Sequence, residues 1–504
     1  MEAWRDTIVF GSVLIYMVMC IVVGLWAMRR TRSSSDFFMA GRELGVMVTA
    51  IAVFSSTMSG FGFVGGPGLV FGQGTFSFWL VIATGIGYSI AYYLVGKRIR
   101  LFAELCDSVS LPDVVTSRYS SPSTGGLTAL AILLGVIGYL AAQVLAMAQV
   151  LQTVVASYLN LGDGGGSLQW QYAAISCAVL VFYCVTGGIV ASVYTDLVQG
   201  LVMMVAALLV LVTAMSAVDG GFTAMSQTIH ADDPEAIGPW GTLGMLGCLS
   251  FYFVFVIGNV GQPHVITKMM MTKKISDAKH MLPITVIGYG ITALLWISIG
   301  LVMRTLVLQG KIAPLSRADA AAPEFLQSVA HPLLAGIVFA GLFAAIMSTA
   351  DSFLNIGAAA VVHDIPKAIT GKTLPNELFW ARLATVGIAL AAMVIALISK
   401  DLVAILGSFG WGTFASAIVP TVAIGFNWKR ATPLAANVAM IASLSVIFVL
   451  KLLPKLDLGV KISVPYGILE GAFALLTSLT LFIGISLCSK RPEIDPDISE
   501  AMDL

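Results

Sequence analysis

Apolar runs of about twenty residues follow one another along this chain, separated by short polar breaks. A helix needs about 20 apolar residues to cross a bilayer. Thirteen segments meet that need, at 8–28, 44–72, 75–95, 125–158, 168–186, 190–217, 241–270, 281–308, 332–362, 379–399, 402–428, 432–453 and 465–488. Two of them are interrupted. The stretch 52–74 reads AVFSSTMSGFGFVGGPGLVFGQG, and 251–270 reads FYFVFVIGNVGQPHVITKMM. Lipid offers no hydrogen-bond partners, so a span is broken at membrane depth only where protein, ions or a polar solute meet the freed backbone groups. Two such breaks about 200 residues apart suggest two related halves with a binding site where the breaks meet.

Composition fits this pattern. Hydrophobic residues make up 58% of the 504 and charged residues only 11%, against about 25% charged in soluble domains; mean hydropathy is +0.93. The formal net charge is zero, so charge balance points to no nucleic-acid partner. The six cysteines show no metal-ligand spacing and read as small buried hydrophobes. Residues 8–28 run too long for a signal-peptide core and read as the first span. Only about 15 residues follow the last one, so no soluble catalytic or sensor domain is expected.

Thirteen spans place the termini on opposite sides, and the positive-inside rule orients them. With the N-terminus outside, the inner loops hold 19 of the 27 basic residues, among them Arg29, Arg30, Arg32, Arg42, Lys97, Arg98, Arg100, Arg118, Lys268 and Lys367. The loop 219–240 has four acids and no Lys or Arg, as an outer loop should. The expected protein is therefore multi-pass in the cell (plasma) membrane, with the N-terminus outside and the C-terminus cytoplasmic.

In the ninth segment, AAIMSTADSFL sets Ala345, Ser348, Thr349 and Ser352 on one helical stripe. Hydroxyl and carbonyl oxygens suit a hard cation; a packing seam of small residues has the same spacing. Asp351 and Asp196 lie mid-span, where ionisable residues mark ion pathways or serve as hydrogen-bond anchors. No intramembrane Lys or Arg pairs obviously with either, which favours a mobile cation as counter-charge. The first break offers Thr57, Ser59 and Gly60 and a helix N-terminus that attracts a carboxylate. The second offers Asn259, Gln262 and Pro263, with Phe255 one turn earlier. The fourth span adds Tyr139 and Gln143. Any one of these could instead make a routine interhelical bond. His264, His280 and His363 lie near expected membrane edges and read as interfacial.

At these residues the chain resembles the sodium:solute symporter family, which carries proline, pantothenate, monocarboxylates, sialic acid and glucose. The matching strings are DFFMAGRELG at 36–45, SGFGFVGGPG at 59–68, GGIVASVYTDLVQ at 187–199, GQPH at 261–264 and AAIMSTADS at 344–352. The resemblance implies an all-α polytopic membrane protein of 13 transmembrane helices around a five-plus-five inverted-repeat, LeuT-like core, with the first helix of each repeat broken. The expected division is 1–40 for a peripheral first span, 41–220 and 221–430 for the two repeats (spans 2–6 and 7–11), and 431–504 for two peripheral spans and a short tail. It further implies a main sodium site from the carbonyls of Ser55, Met58 and Ala345 and the hydroxyls of Ser348 and Thr349. Asp196, Asp351 and Ser352 stand where some members hold a second ion; the sialic acid carriers have a Ser at the place of Asp351. On the solute side, Tyr139, Ser59, Gly60 and Pro263 fit the proline carriers, whereas Thr57 replaces an Asp, Phe255 a Trp and Asn259 a Tyr.

The function these readings imply is sodium-coupled import of a small carboxylate-bearing solute, an amino acid or a monocarboxylate, by alternating access. Proton coupling on the same fold and a transporter-like receptor or sensor are the alternatives. No nucleophile–base pair or metal-ligand cluster falls in a span, so an enzyme is not expected.

Overall fold

The computed structural model describes residues 4–28, 38, 44–159, 169–399, 403–452 and 464–503. Arg29, Arg30, Arg32 and Arg42, and seven of the ten residues of the 36–45 string, lie outside the described residues. Apart from one isolated bridge between Leu44 and Thr272, the described chain is helical.

The order is α1 (Arg5–Met28), α2 (Val46–Thr57), α3 (Gly66–Gln73), α4 (Ser77–Ala91), α5 (Leu111–Tyr119), α6 (Pro122–Tyr158), α7 (Gln169–Ala217), α8 (Gly221–Asp232), α9 (Gly244–Gly258), α10 (Pro263–Met270), α11 (Ala278–Leu308), α12 (Ala321–Ser328), α13 (Pro332–Ala359), α14 (Glu377–Ile398), α15 (Val403–Val419), α16 (Pro433–Ile447), α17 (Glu470–Cys488) and α18 (Pro496–Met502). Helix starts follow local chemistry. Ser110, Ser121 and Thr432 cap the amides of Asp113, Thr124 and Ala435, with a proline in the first turn each time. The expected spans at 168–186 and 190–217 meet at Gly188, whose φ of 56° and ψ of −153° suit only glycine.

Eleven helical stretches among the described residues are long and apolar enough to cross a membrane. Two shorter apolar helices, Val46–Thr57 and Trp170–Thr186, occupy the other expected positions. α2 is short because the second span is broken after it.

Burial separates core from periphery. The window in Val403–Ile424 is 89% buried and those in Pro122–Tyr158 and Pro332–Thr370 are 78% buried, against 28% for Arg5–Val23 and 33% for Glu377–Ile398. α6, α13 and α15 are therefore the central helices, and α1, α14, α16 and α17 present Ile15, Leu390, Ile441 and Leu476 outward, as lipid contact requires. Small residues let the central helices touch. A Cβ on Gly135 of α6 would come within 2.4 Å of the Phe414 ring, and one on Gly410 of α15 within 2.7 Å of Tyr139 Cβ. Little apolar driving force separates lipid from Leu, so such close backbone approach carries the packing.

Candidate functional site

α2 stops at Thr57. Met58 is extended (φ −77°, ψ 90°), and the chain re-enters helix through a π-turn, Phe61–Gly65, before α3. Side chains meet the freed backbone. Ser59 Oγ accepts from Phe61 N at 3.1 Å and pairs with Tyr139 Oη at 3.0 Å, while Gly60 N donates to Gln143 Oε1 at 2.8 Å. α6 thus supplies what lipid cannot. The close fit needs glycine: a Cβ on Gly60 would sit 2.7 Å from Ala146 Cβ.

The second break follows the same logic. α9 ends at Gly258, one 3₁₀ turn follows, Gln262 is extended (φ −74°, ψ 113°) and Pro263 opens α10. The break lies on α15, where a Cβ on Gly258 or Gly261 would come within 2.8 Å of Ala415 or Val419 side-chain carbons. Phe255 stacks on Trp411 and tilts against Phe61, so three rings from two breaks and α15 form one apolar wall.

The hydroxyl stripe of α13 faces the end of α2. Ser348 Oγ lies 3.0 Å from both Ser55 O and Ala345 O; Thr349 Oγ1 lies 2.7 Å from Ser56 O and 3.2 Å from Ala345 O. Ser55, Ser56, Ser348 and Thr349 are all buried. The reason is local: carbonyls in the last turn of a helix lose their i+4 donors. The amides of Ser59 and Gly60 would have served Ser55 and Ser56, but the helix stops first and Gly60 N is taken by Gln143. Hard oxygens from two helices converge at this place, chemistry that suits a small hard cation. The structure brings together Ser55, Ala345, Ser348 and Thr349, adds the Ser56 carbonyl that sequence reasoning missed, and places Met58 on the extended link just beyond.

Three expectations need correction. Lys268 is not a loop residue. It is 1% exposed on α10, and its Nζ donates to Asp196 Oδ2 at 2.9 Å, Ser352 Oγ at 3.0 Å and Ala52 O at 3.1 Å. Asp196 therefore has a covalently tethered counter-charge, where a mobile one was expected. All three ammonium protons are used, as burial of a charge demands. Beside this pair, Ser192 Oγ donates to Asp351 Oδ1 at 2.8 Å. The sequence signal was available: with α10 starting at Pro263, Lys268 falls in its second turn, still at membrane depth.

His264 is likewise not interfacial; it is buried and bonded to Thr57 across the two breaks. His363 is buried as well. Its Nε2 lies 2.9 Å from Asp113 Oδ2 and its Nδ1 2.9 Å from Glu377 Oε1, while Lys367 Nζ reaches Asp113 Oδ1 at 2.7 Å. Both ring nitrogens face carboxylates, so this group pins α5 to the end of the ninth span. Burial raises the Asp113 pKa, but the His363 and Lys367 donors outweigh it and hold that carboxyl below its ordinary value.

The proposed solute residues separate into two groups. Thr57, Ser59, Gly60, Tyr139 and Gln143 cluster at the first break. Asn259 instead sends its Nδ2 to Thr84 O on α4 at 3.2 Å, and Gln262 Nε2 bonds Gly258 O at 3.1 Å. Several buried polar atoms between the breaks have no partner within the protein: Gln143 Nε2, Asn259 Oδ1, Gln262 Oε1, His264 Nδ1 and Trp411 Nε1.

A multi-pass helical bundle whose first helix in each repeat is broken at mid-depth, with hard oxygens and polar side chains gathered at the breaks, defines an ion-coupled secondary transporter. The profile of the sodium:solute symporter family matches residues 37–443, and the chain belongs to that family. The osmoregulated proline transporter OpuE of Bacillus subtilis (strain 168) is 27% identical over 493 residues, 95% of each chain. A sodium/proline symporter of Staphylococcus aureus (strain bovine RF122 / ET3-1) is 28% identical over 518 residues, 99% of this chain and 96% of its own. Among solved structures, a Na⁺-coupled sialic acid symporter in a substrate-bound outward-open state superposes with a TM-score of 0.75 at 18% identity, over 97% of this chain and 99% of its own. The fold is the five-plus-five inverted repeat, and the protein is a transporter, not an enzyme.

Proposed function

We propose that this protein couples inward sodium movement to uptake of a small carboxylate-bearing solute of the amino-acid class. The observation that carries the reading is the meeting of the α13 hydroxyl stripe with the freed carbonyls of α2, at 2.7–3.0 Å between oxygens. A cation held there would tie α2 to α13, and α2 leads directly into the solute break at Met58–Gly60. Sodium thus favours the arrangement in which Ser59, Gly60 and Tyr139 are set to receive solute; its departure inward releases both. A ligand shifts conformations only by its differential affinity, and this shared element supplies the difference. The proline carriers among the relatives support an amino-acid-like solute, while Thr57, Phe255 and Asn259 give this pocket its own lining.

The energetics suffice. One charge moving through about 100 mV yields about 2.3 kcal/mol, and a roughly tenfold sodium gradient adds about 1.4 kcal/mol. Together they support accumulation of a few hundredfold for each ion.

The test is uptake of a labelled amino-acid and monocarboxylate library into proteoliposomes. An inward sodium gradient should drive accumulation of at least one amino acid, and its replacement by potassium should abolish it. Equal uptake in sodium-free buffer under a pH gradient would move the coupling to protons.

A further inference from the structure

We propose that His264 reads the nitrogen end of the solute: its Nδ1 is the acceptor for a solute N–H, which makes this carrier selective for amino or imino acids over carboxylates lacking the nitrogen. The assignment rests on the meeting place of the two breaks being the solute site.

Thr57 has a single hydroxyl proton, and its Oγ1 donates to Val53 O at 2.9 Å. Giving that proton to the shorter, 2.9 Å contact leaves the ring as donor in the 3.3 Å contact between His264 Nε2 and Thr57 Oγ1. This assignment puts hydrogen on Nε2 and the lone pair of the neutral ring on Nδ1. Nδ1 is buried with no partner within the protein, on a side chain that is 1% exposed. The Phe353 ring stands edge-on to the imidazole at 4.8 Å, and Phe353 in turn lies 4.9 Å from the Tyr139 ring, whose hydroxyl holds Ser59. The imidazole is thus held between Thr57 and Phe353, with Tyr139 backing the latter.

The neighbouring unpartnered atoms have a matching polarity. Gln262 Nε2 is committed to a carbonyl, which orients its Oε1 as an acceptor; Asn259, whose Nδ2 is likewise committed, has Oδ1 left. The second break therefore offers only acceptors among its unpartnered side-chain atoms: Asn259 Oδ1, Gln262 Oε1 and His264 Nδ1. Pro263 contributes no amide proton. The unpartnered donors, Gln143 Nε2 and Trp411 Nε1, come from α6 and α15 instead. A zwitterion complements this division, with its ammonium toward α10 and its carboxylate toward α6 and the first break. A buried polar atom left unpaired costs affinity, so a site built this way rejects an analogue that lacks the partner group.

The experiment compares matched pairs on the purified full-length protein in sodium buffer: L-proline with cyclopentanecarboxylate, and L-leucine with 4-methylpentanoate. Members of a pair differ only in the nitrogen. Binding is read by ligand-induced thermal stabilisation. Wild type should prefer the nitrogen-bearing member of at least one pair by roughly tenfold or more. In His264→Gln, whose amide keeps a donor toward Thr57 but has no acceptor at the Nδ1 position, that preference should fall to within about twofold. In His264→Asn, whose Oδ1 reaches that position, it should persist. Equal binding within both pairs by wild type overturns the assignment and leaves the carboxylate-solute reading standing, as does a preference that survives in His264→Gln. Binding of none of the four compounds overturns the proposed solute class and this assignment with it. Sodium-induced stabilisation reports whether each variant is folded; if His264→Gln is not, the wild-type ratios and His264→Asn decide.

Discussion

Replacing Ser348 with Ala removes one oxygen from the junction of α2 and α13 and nothing else. Its Oγ lies 3.0 Å from Ser55 O and from Ala345 O, and the residue is fully buried. Without a cation the loss is one neutral hydrogen bond, about 0.5–1.5 kcal/mol. With a cation the same oxygen interacts with a charge, an interaction of about 1.5–3 kcal/mol. At 1.36 kcal/mol for each tenfold, the half-saturating sodium concentration should rise roughly 10- to 150-fold while the protein remains folded. The assay is solute uptake in proteoliposomes titrated with sodium at constant ionic strength. Ser443→Ala is the control: it removes a buried hydroxyl on α16 that bonds only its own helix at Met440 O. An unchanged sodium requirement in Ser348→Ala, with solute affinity intact, would refute the placement of the ion.

Two further outcomes follow from the charged clusters. Asp196→Asn leaves Lys268 buried without its carboxylate, and breaking a buried pair costs about 3–5 kcal/mol; the double variant Asp196→Asn/Lys268→Met should recover most of the lost thermal stability, and additive losses would show that the 2.9 Å contact is not an energetic unit. Asp113→Asn should loosen α5, since its donors His363 and Lys367 lose a charged partner, and hydrogen exchange over residues 109–119 should accelerate by about tenfold or more. Because the Asp113 carboxyl is held below its ordinary value, its own charge is fully present in the contact above about pH 3.9 and is lost only as pH falls toward the lowered folded value. Exchange in that segment that is already rapid at pH 5 would contradict this.

Much of the architecture was legible because membrane physics leaves few choices. Apolar length gave the spans, and glycine, proline and hydroxyl residues at membrane depth marked both breaks. The stripe of Ala345, Ser348 and Thr349 was visible as a periodicity, and the structure sets it against the end of α2. What escaped was pairing across distant segments. Lys268 looked like the first residue of a basic loop until α10 was seen to run from Pro263 to Met270, which buries it in the protein against Asp196, 72 positions away. His264 was misread for the same reason, since its depth depends on where the broken helix resumes. Asn259 was read from its place in the break alone; its amide nitrogen is spent on Thr84 O of α4, which leaves only its Oδ1 unpartnered.

Coupling between the two ligands is reciprocal by thermodynamic necessity. Measuring solute affinity with and without sodium, and sodium affinity with and without the same solute, on one preparation of purified protein therefore tests whether a cation at the α2–α13 junction organises the solute break. Both factors should agree and exceed about fivefold, and both should collapse toward unity in Ser348→Ala. Solute that binds equally well in sodium and in potassium would contradict the mechanism.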